Sequence, residues 1–281
     1  MIGVFDSGHG GLTVLRTLVR RLPRQAFVYL GDHANAPYGG REPDTIYRLT
    51  VANVERLFLQ GCRLVLLACN TASAVALRRL QQEWLPGAYP DRRVLGVLVP
   101  MVEAITAVPW RVKTPPANGD GAPTVVGIFA TRRTVDSGAY PLEIGLRAPR
   151  VRVVQQPCPA LVARIEENAP PDALAAMIAG HVADLLARCP GGRPDSVVLG
   201  CTHYPLVADA FAAALPSGIA VLDQPRIVAD SLADYLRRHP EFDGRDGTGP
   251  AVRFLTTGPA GASNGLATRF FSRPVEFAAI G

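Results

Sequence analysis

Two stretches of this chain end an apolar run on a cysteine: Val65-Leu66-Leu67-Ala68-Cys69-Asn70-Thr71 and Val197-Val198-Leu199-Gly200-Cys201-Thr202-His203. In each, a small residue precedes the thiol and polar residues follow it. A cysteine at the end of a strand and the start of a helix is acted on by the helix N-terminus, which lowers a thiol's pKa and makes thiolate accessible near neutral pH. Taken singly, either cysteine reads as packing, because free cysteine is among the most buried residue types. The pairing changes that balance. Two thiols in equivalent positions of two similar units suit a reaction that needs one base on each face of a planar intermediate, one taking a proton from Cα while the other returns one.

Other polar residues cluster in the same kind of place. Asp6-Ser7-Gly8-His9-Gly10-Gly11 follows the first apolar run and opens an amphipathic stretch, so its amides can receive a carboxylate. The plainer alternative is an N-cap followed by a glycine turn. Asp6 and His203 are the expected acid partners of the thiols, tuning or relaying protons. His9 lies near the pocket or faces solvent; Arg132-Arg133 reads as a solvated pair, with steering of an anionic substrate as the alternative. Cys62 and Cys189 read as packing, and His181 and His239 have no partner in sequence that would make a metal site.

The elements that must position these residues are short β-branched runs alternating with longer amphipathic stretches, the pattern of βαβ units and a mainly parallel sheet. Strands are expected at Ile2–Phe5, Ala26–Leu30, Leu64–Leu67, Val94–Val97, Thr124–Phe129, Val151–Val154, Ser196–Leu199, Ile219–Leu222 and Arg253–Thr256. Helices are expected at Leu12–Arg21, Thr45–Gln60, Ala72–Trp84, Pro171–Arg188 and Ile227–Arg238. The fold class is α/β, with two similar domains facing each other so that both cysteines reach a shared cleft. The two strand–helix units after Cys201 are expected to return to the first sheet. This divides the chain into a discontinuous domain, 1–97 plus 207–281, and a second domain, 98–206.

Composition narrows the function classes. With 281 residues, 48% of them hydrophobic, the chain can bury the cores of two domains. Its N-terminus has no basic segment before an apolar one, and no window approaches the ~18 uninterrupted apolar residues of a membrane span. A cytoplasmic protein without membrane contact is expected. Five cysteines at scattered positions suit free thiols rather than a disulfide framework or a zinc knuckle. The net charge of +5 comes from arginines placed singly or in pairs without interleaved aromatics, so a nucleic-acid partner is not expected. Lys113 is the only lysine and lies in a Pro/Gly-rich stretch, which argues against a pyridoxal-phosphate enzyme with its buried Schiff-base lysine.

The motifs, in this order, resemble the glutamate racemases of bacterial cell-wall synthesis over nearly the whole chain. They are Gly3-Val4-Phe5-Asp6-Ser7-Gly8 with Gly10-Gly11-Leu12-Thr13-Val14, Asp32 with Pro37-Tyr38-Gly39, and Ala68-Cys69-Asn70-Thr71-Ala72. Further on come Thr131 with Thr134, Ser137-Gly138-Ala139-Tyr140, Cys158-Pro159 leading to Glu166, Leu199-Gly200-Cys201-Thr202-His203-Tyr204-Pro205, and Phe254-Leu255-Thr256-Thr257-Gly258.

The resemblance implies two doubly wound domains around a closed cleft and interconversion of L- and D-glutamate without a cofactor or metal. It implies Cys69 as the base toward the D-enantiomer with Asp6 beside it, and Cys201 as the base toward the L-enantiomer with Glu166 and His203 beside it. Ser7, Pro37, Tyr38, Gly39, Asn70, Thr71, Thr131, Thr134 and Thr202 resemble the substrate-binding positions. The expected partners are the amino acid and a second copy of the chain in a homodimer. Three departures bear on substrate preference: Ala130 in place of a glycine, Gln224-Pro225 after Asp223 in place of Ser-Gly, and an apparent insertion at 108–123. An aspartate racemase, a one-cysteine decarboxylase relative and a silent amino-acid-binding protein are the alternatives.

Overall fold

The computed structural model describes residues 1–112, 124–243, 252–261 and 264–280. Lys113 and most of the expected loop at 108–123 lie outside the described residues. The first unit begins with β1 (Ile2–Asp6), α1 (Leu12–Arg21), β2 (Phe27–Gly31), α2 (Pro43–Leu59) and β3 (Leu64–Leu67). After β3 come α3 (Asn70–Val75), α4 (Leu77–Arg79), α5 (Leu85–Ala88), β4 (Arg93–Gly96) and α6 (Leu98–Thr106). The expected helix at Ala72–Trp84 is therefore a broken run, interrupted at Ala76.

The second unit is built from β5 (Val125–Ala130), α7 (Arg132–Asp136), α8 (Ala139–Arg147), β6 (Arg152–Pro157), α9 (Leu161–Glu166) and α10 (Pro171–Leu186). It continues through β7 (Ser196–Gly200), α11 (Ala208–Ala214) and β8 (Ala220–Leu222). The chain closes with α12 (Gln224–Arg238), β9 (Val252–Thr256), α13 (Asn264–Phe271) and β10 (Ala278–Ala279).

Local chemistry explains these boundaries. In α1 the apolar residues Leu12, Leu15, Leu18 and Val19 fall on one buried face, and Arg20 and Arg21 in the last turn complement the helix dipole. Proline opens α2, α10 and α12 within the first turn, where its missing N–H costs nothing. The expected starts of α2 and α12 fell two or three residues late because proline reads as a breaker until it is seen at a helix entry.

Two sheets result, every described pairing in them parallel. The first has the order β10-β9-β2-β1-β3-β4 and the second β6-β5-β7-β8. All residues of β1, β2, β3 and β5 are buried, as expected of strands covered by helices on both faces. The chain winds outward in both directions from β1 in one sheet and from β5 in the other. This puts a crevice at the carboxyl ends of β1 and β3, and a matching one at the carboxyl ends of β5 and β7.

One expectation is corrected here. The strand at 220–222 pairs with β7, Ser196 opposite Ala220, so it completes the second sheet. The short crossover through α11 reaches only the neighbouring edge. It is the following helix, α12, that packs back on α1 and α6, and β9 and β10 then join the first sheet beside β2. We propose the same discontinuous division of the chain, with the return beginning near α12 rather than at residue 207.

The two units meet closely at the glycine turn after β1. A Cβ added at Gly10 would stand 2.1 Å from Thr202 Oγ1 and 2.6 Å from His203 Nδ1, atoms of the other unit. Gly10→Ala is therefore expected to destabilise the protein by about 1–3 kcal/mol through overpacking, read as a lowered urea midpoint with an unchanged m-value.

Candidate active site

A cavity of about 440 Å³ opens between the carboxyl ends of the two sheets, and both Cys69 and Cys201 line it. Cys69 lies just beyond β3 and caps α3, its Sγ accepting from the Ala72 N–H at 3.4 Å and standing 3.5 Å from Ser7 Oγ. Cys201 lies just beyond β7, its Sγ 3.8 Å from His203 Nδ1. Both thiols are 5% exposed. The strand registers make the two positions equivalent: Phe5 lies opposite Leu67, two residues before Cys69, and Phe129 opposite Leu199, two residues before Cys201.

Burial reverses the expected effect of the helix N-terminus. It pushes the Cys69 thiol up to about 11, helped by the Asp6 carboxylate, while the Ala72 amide and Ser7 pull the other way with less effect. Cys201 is also pushed well up, by burial first, with the Cys69 and Asp6 charges adding to it against a backbone hydrogen bond at His203. Cys158, a third thiol lining the cavity, is raised by burial to about 12. Both expected bases are therefore neutral thiols at pH 7 in this structure.

Behind Cys201 stands a His–Glu pair. Glu166, from the last turn of α9, meets His203 Nε2 at 2.9 Å through Oε1. Burial alone would raise the Glu166 carboxyl, but hydrogen bonds and charge from His203 and His9 hold it well below the usual carboxylate range. Asp6 lies close enough to Cys69 for its charge to raise that thiol. Its carboxylate does not line the cavity; it accepts from Gly8 N–H at 2.9 Å and from Thr202 Oγ1 at 3.3 Å, reaching across to the Cys201 unit. Burial raises its pKa against the pull of His203 and these donors.

Hydroxyls and an amide stand among the apolar residues of the wall. Thr71 Oγ1 lies 3.1 Å from Thr131 Oγ1 across the two units, and Thr134 Oγ1 joins both, at 3.3 Å to Thr71 and 2.9 Å to Thr131. Asn70 makes a reciprocal amide pair with Gln224, its Nδ2 donating at 2.9 Å and its Oδ1 accepting at 3.0 Å, while the Tyr140 hydroxyl also donates to that oxygen at 3.4 Å. Tyr38 donates to Asp32 Oδ2 at 2.6 Å, and Asn53 shares that oxygen at 3.0 Å.

Of the residues singled out from sequence, the cavity brings together Cys69, Cys201, Glu166, His203, Ser7, Pro37, Tyr38, Gly39, Asn70, Thr71, Thr131 and Thr202. Thr134 is fully buried behind the wall and acts on it only through Thr71 and Thr131. Ala160, just before α9, and Val162 and Ala163 within it also line the cavity and were not foreseen. Small apolar residues carry no chemical signature in sequence. The partners of His9 and Gln224, each more than a hundred residues away, were equally out of reach. Pro225, part of one of the three departures, sits in the first turn of α12, where Asp223 caps the Arg226 N–H at 3.2 Å.

Two parallel α/β units closing on one cavity, each bringing a thiol from a strand end, fit an isomerase of the racemase class. The Asp/Glu/Hydantoin racemase family model matches residues 2–232, and the chain belongs to that family. It is 50% identical to a glutamate racemase of Phenylobacterium zucineum over 283 residues, covering 98% of each chain. Among solved structures it is similar to glutamate racemase isoform RacE1 from Bacillus anthracis, with TM-score 0.85 and 26% identity over 100% of this chain and 97% of that one. It is also similar to the Francisella tularensis glutamate racemase solved with D-glutamate, with TM-score 0.82 and 26% identity over 100% and 97%.

The raised thiols have a consequence for stability. An unfolded cysteine loses its proton near pH 9, while Cys69 holds it to about 11. Between those values the unfolded state binds fewer protons, so stability falls as pH rises through the window. We expect urea midpoints to drop from pH 9 to pH 11, and Cys69→Ser to make that drop shallower by up to ~1.4 kcal/mol per pH unit.

Proposed function

We propose that this chain interconverts L- and D-glutamate by direct proton transfer at Cα, with Cys69 and Cys201 as the two bases and no cofactor. The observation that carries this reading is the arrival of two thiols from separate sheets at one cavity whose wall sets hydroxyls and an amide among apolar side chains. Relatives named glutamate racemase at 50% identity, and a similar structure solved with D-glutamate, support glutamate as the substrate.

In this mechanism the amino acid's carboxylates accept from Ser7, Asn70, Thr71, Thr131 and Thr202 and from backbone N–H groups around Tyr38 and Gly39. Thr134 holds the threonine hydroxyls in place. Cys201, whose thiol first passes its proton to His203 Nδ1, takes the α-proton of the L-enantiomer as a thiolate and becomes a thiol again; the electron pair remains on Cα, conjugated with the carboxylate. The Cys69 thiol then delivers its proton to the opposite face and is left as a thiolate, giving the D-enantiomer. The reverse reaction exchanges the two roles.

No ring or metal spreads the carbanion's charge in this scheme, so stabilisation falls to donors fixed on the carboxylate in a cavity that excludes water. The substrate ammonium offsets the charge of the thiolate. Asp6 acts through Thr202 and the Gly8 amide, and Glu166 through His203. The cell-level reading that follows is a cytoplasmic homodimer supplying D-glutamate for peptidoglycan, with no nucleic-acid partner. Among the described residues no helix is long and apolar enough to cross a membrane.

The test is direct. In heavy water L-glutamate should gain deuterium at Cα while its optical signal decays, and Cys69→Ala and Cys201→Ala should each lower net racemisation at least ~100-fold. Full activity in either variant overturns the two-thiol scheme. Chiral analysis with glutamate and aspartate side by side checks the substrate, and faster turnover of aspartate would reassign it.

A further inference from the structure

His9 lies in the glycine turn after β1, outside the cavity wall, and is 8% exposed. Its Nδ1 stands 3.5 Å from Glu166 Oε1, the same oxygen that His203 Nε2 meets at 2.9 Å. One carboxylate oxygen therefore faces two imidazoles, one of which touches Cys201. The remaining nitrogen of His9, Nε2, is buried without a hydrogen-bond partner among the described residues, which leaves Nδ1 as the ring's polar contact.

We propose that His9 is a positioning residue for the Cys201 arm: by sharing Glu166 Oε1 with His203, it limits how strongly that carboxylate holds a proton on His203. The inference rests on the two-thiol racemase reading.

The surroundings of His9 are consistent with this role. Its ring lies 4.2 Å from that of His33 and stacks at 6.1 Å on Phe270 of α13. His33, held through Nδ1 by Thr256 Oγ1 at 2.8 Å, is pushed down to about 4 by burial and by His9, so it is neutral at pH 7 and contributes no competing charge. Other ionisable groups near this cluster are Asp6 at the end of β1, Tyr29 of β2, which feels the Asp6 and Glu166 charges, and Asp32 beside His33; Arg269 of α13 is occupied by the Ile165 carbonyl, next to Glu166, at 2.8 Å. Glu166 Oε1 therefore divides its acceptance between the two rings instead of serving His203 alone.

His9→Phe retains a ring against His33 and Phe270 and removes the nitrogen. By ¹⁵N NMR, His203 should then keep its ring proton to a pH about one unit higher, and the acid limb of kcat/KM should move up by the same amount. Turnover at neutral pH should fall about tenfold with KM within twofold, and His9→Gln, which restores a donor, should recover most of it. In a Glu166→Ala background His9→Phe should add no further shift. If His9→Phe does not fold, His9→Asn, too short to reach the oxygen, reads the same titration. An unmoved His203 titration, or an equal shift in the Glu166→Ala background, overturns the proposal. Absence of racemisation by the wild type would instead sink the racemase reading, and the NMR titration would still decide the role of His9.

Discussion

Under the two-thiol reading, the governing difficulty is the cost of ionising a thiol that has been taken out of water. Cys69 and Cys201 are each buried at the end of a strand, and burial outweighs the helix N-terminus that would otherwise favour their thiolates. A neutral thiol is a serviceable acid and a poor base. The cavity supplies few fixed cations to correct this, Arg132 at its edge being the only arginine or lysine that lines it among the described residues. Under the racemase reading, the missing positive charge arrives with the substrate as its ammonium. Base strength is then coupled to occupancy: an empty site keeps both sulfurs protonated and inert, and a filled one makes proton transfer affordable.

That coupling demands that the two units be held in register, because the thiols come from different sheets. The register is set by polar contacts across the cleft. Thr13 Oγ1 donates to the Thr202 carbonyl at 2.9 Å, Thr202 Oγ1 donates to Asp6, and Thr71 meets Thr131 and Thr134. The Asn70–Gln224 amide pair, with Tyr140 behind it, adds a contact that fixes which face of the Asn70 amide is spent. Neutral hydrogen bonds of this kind contribute about 0.5–1.5 kcal/mol each, too little to make them the main source of stability. Their directionality matters more, since a displacement near 1 Å is enough to spoil proton transfer.

The parts legible in the sequence are those whose signal is local. All nine expected strands are present, because a parallel strand covered on both faces is a continuous apolar run whatever surrounds it. The paired cysteines were legible because the same local pattern occurs twice. Illegible parts depend on distant residues. Nothing in Ile219–Leu222 says which sheet it joins, and the two-residue β10 has no pattern to detect. The short helices α7, α9 and α11 are too brief for periodicity to show. The direction of the thiol shifts was misjudged for the same reason: a helix N-terminus can be seen in sequence, whereas burial by a second domain cannot.

Internal repetition explains where the thiols stand but not how each is managed. Matching strand ends in matching crevices place both sulfurs by the same geometry, yet their surroundings have little in common. Cys69 is served by a serine hydroxyl and the first-turn amide of its own helix, groups that do not titrate near neutrality. Cys201 is served by an imidazole backed by a carboxylate that is itself shared with a second imidazole. The difference follows from what lies behind each strand end. Behind Cys69 the chain turns at once into α3, whose amides fill the space. After Cys201 no α-helix starts until Ala208, and the intervening turn brings His203 against α9 of its own unit and the glycine turn of the other. A repeated fold can thus set two thiols at matching strand ends while the charge around each is tuned independently, by whatever the connecting segments bring to it.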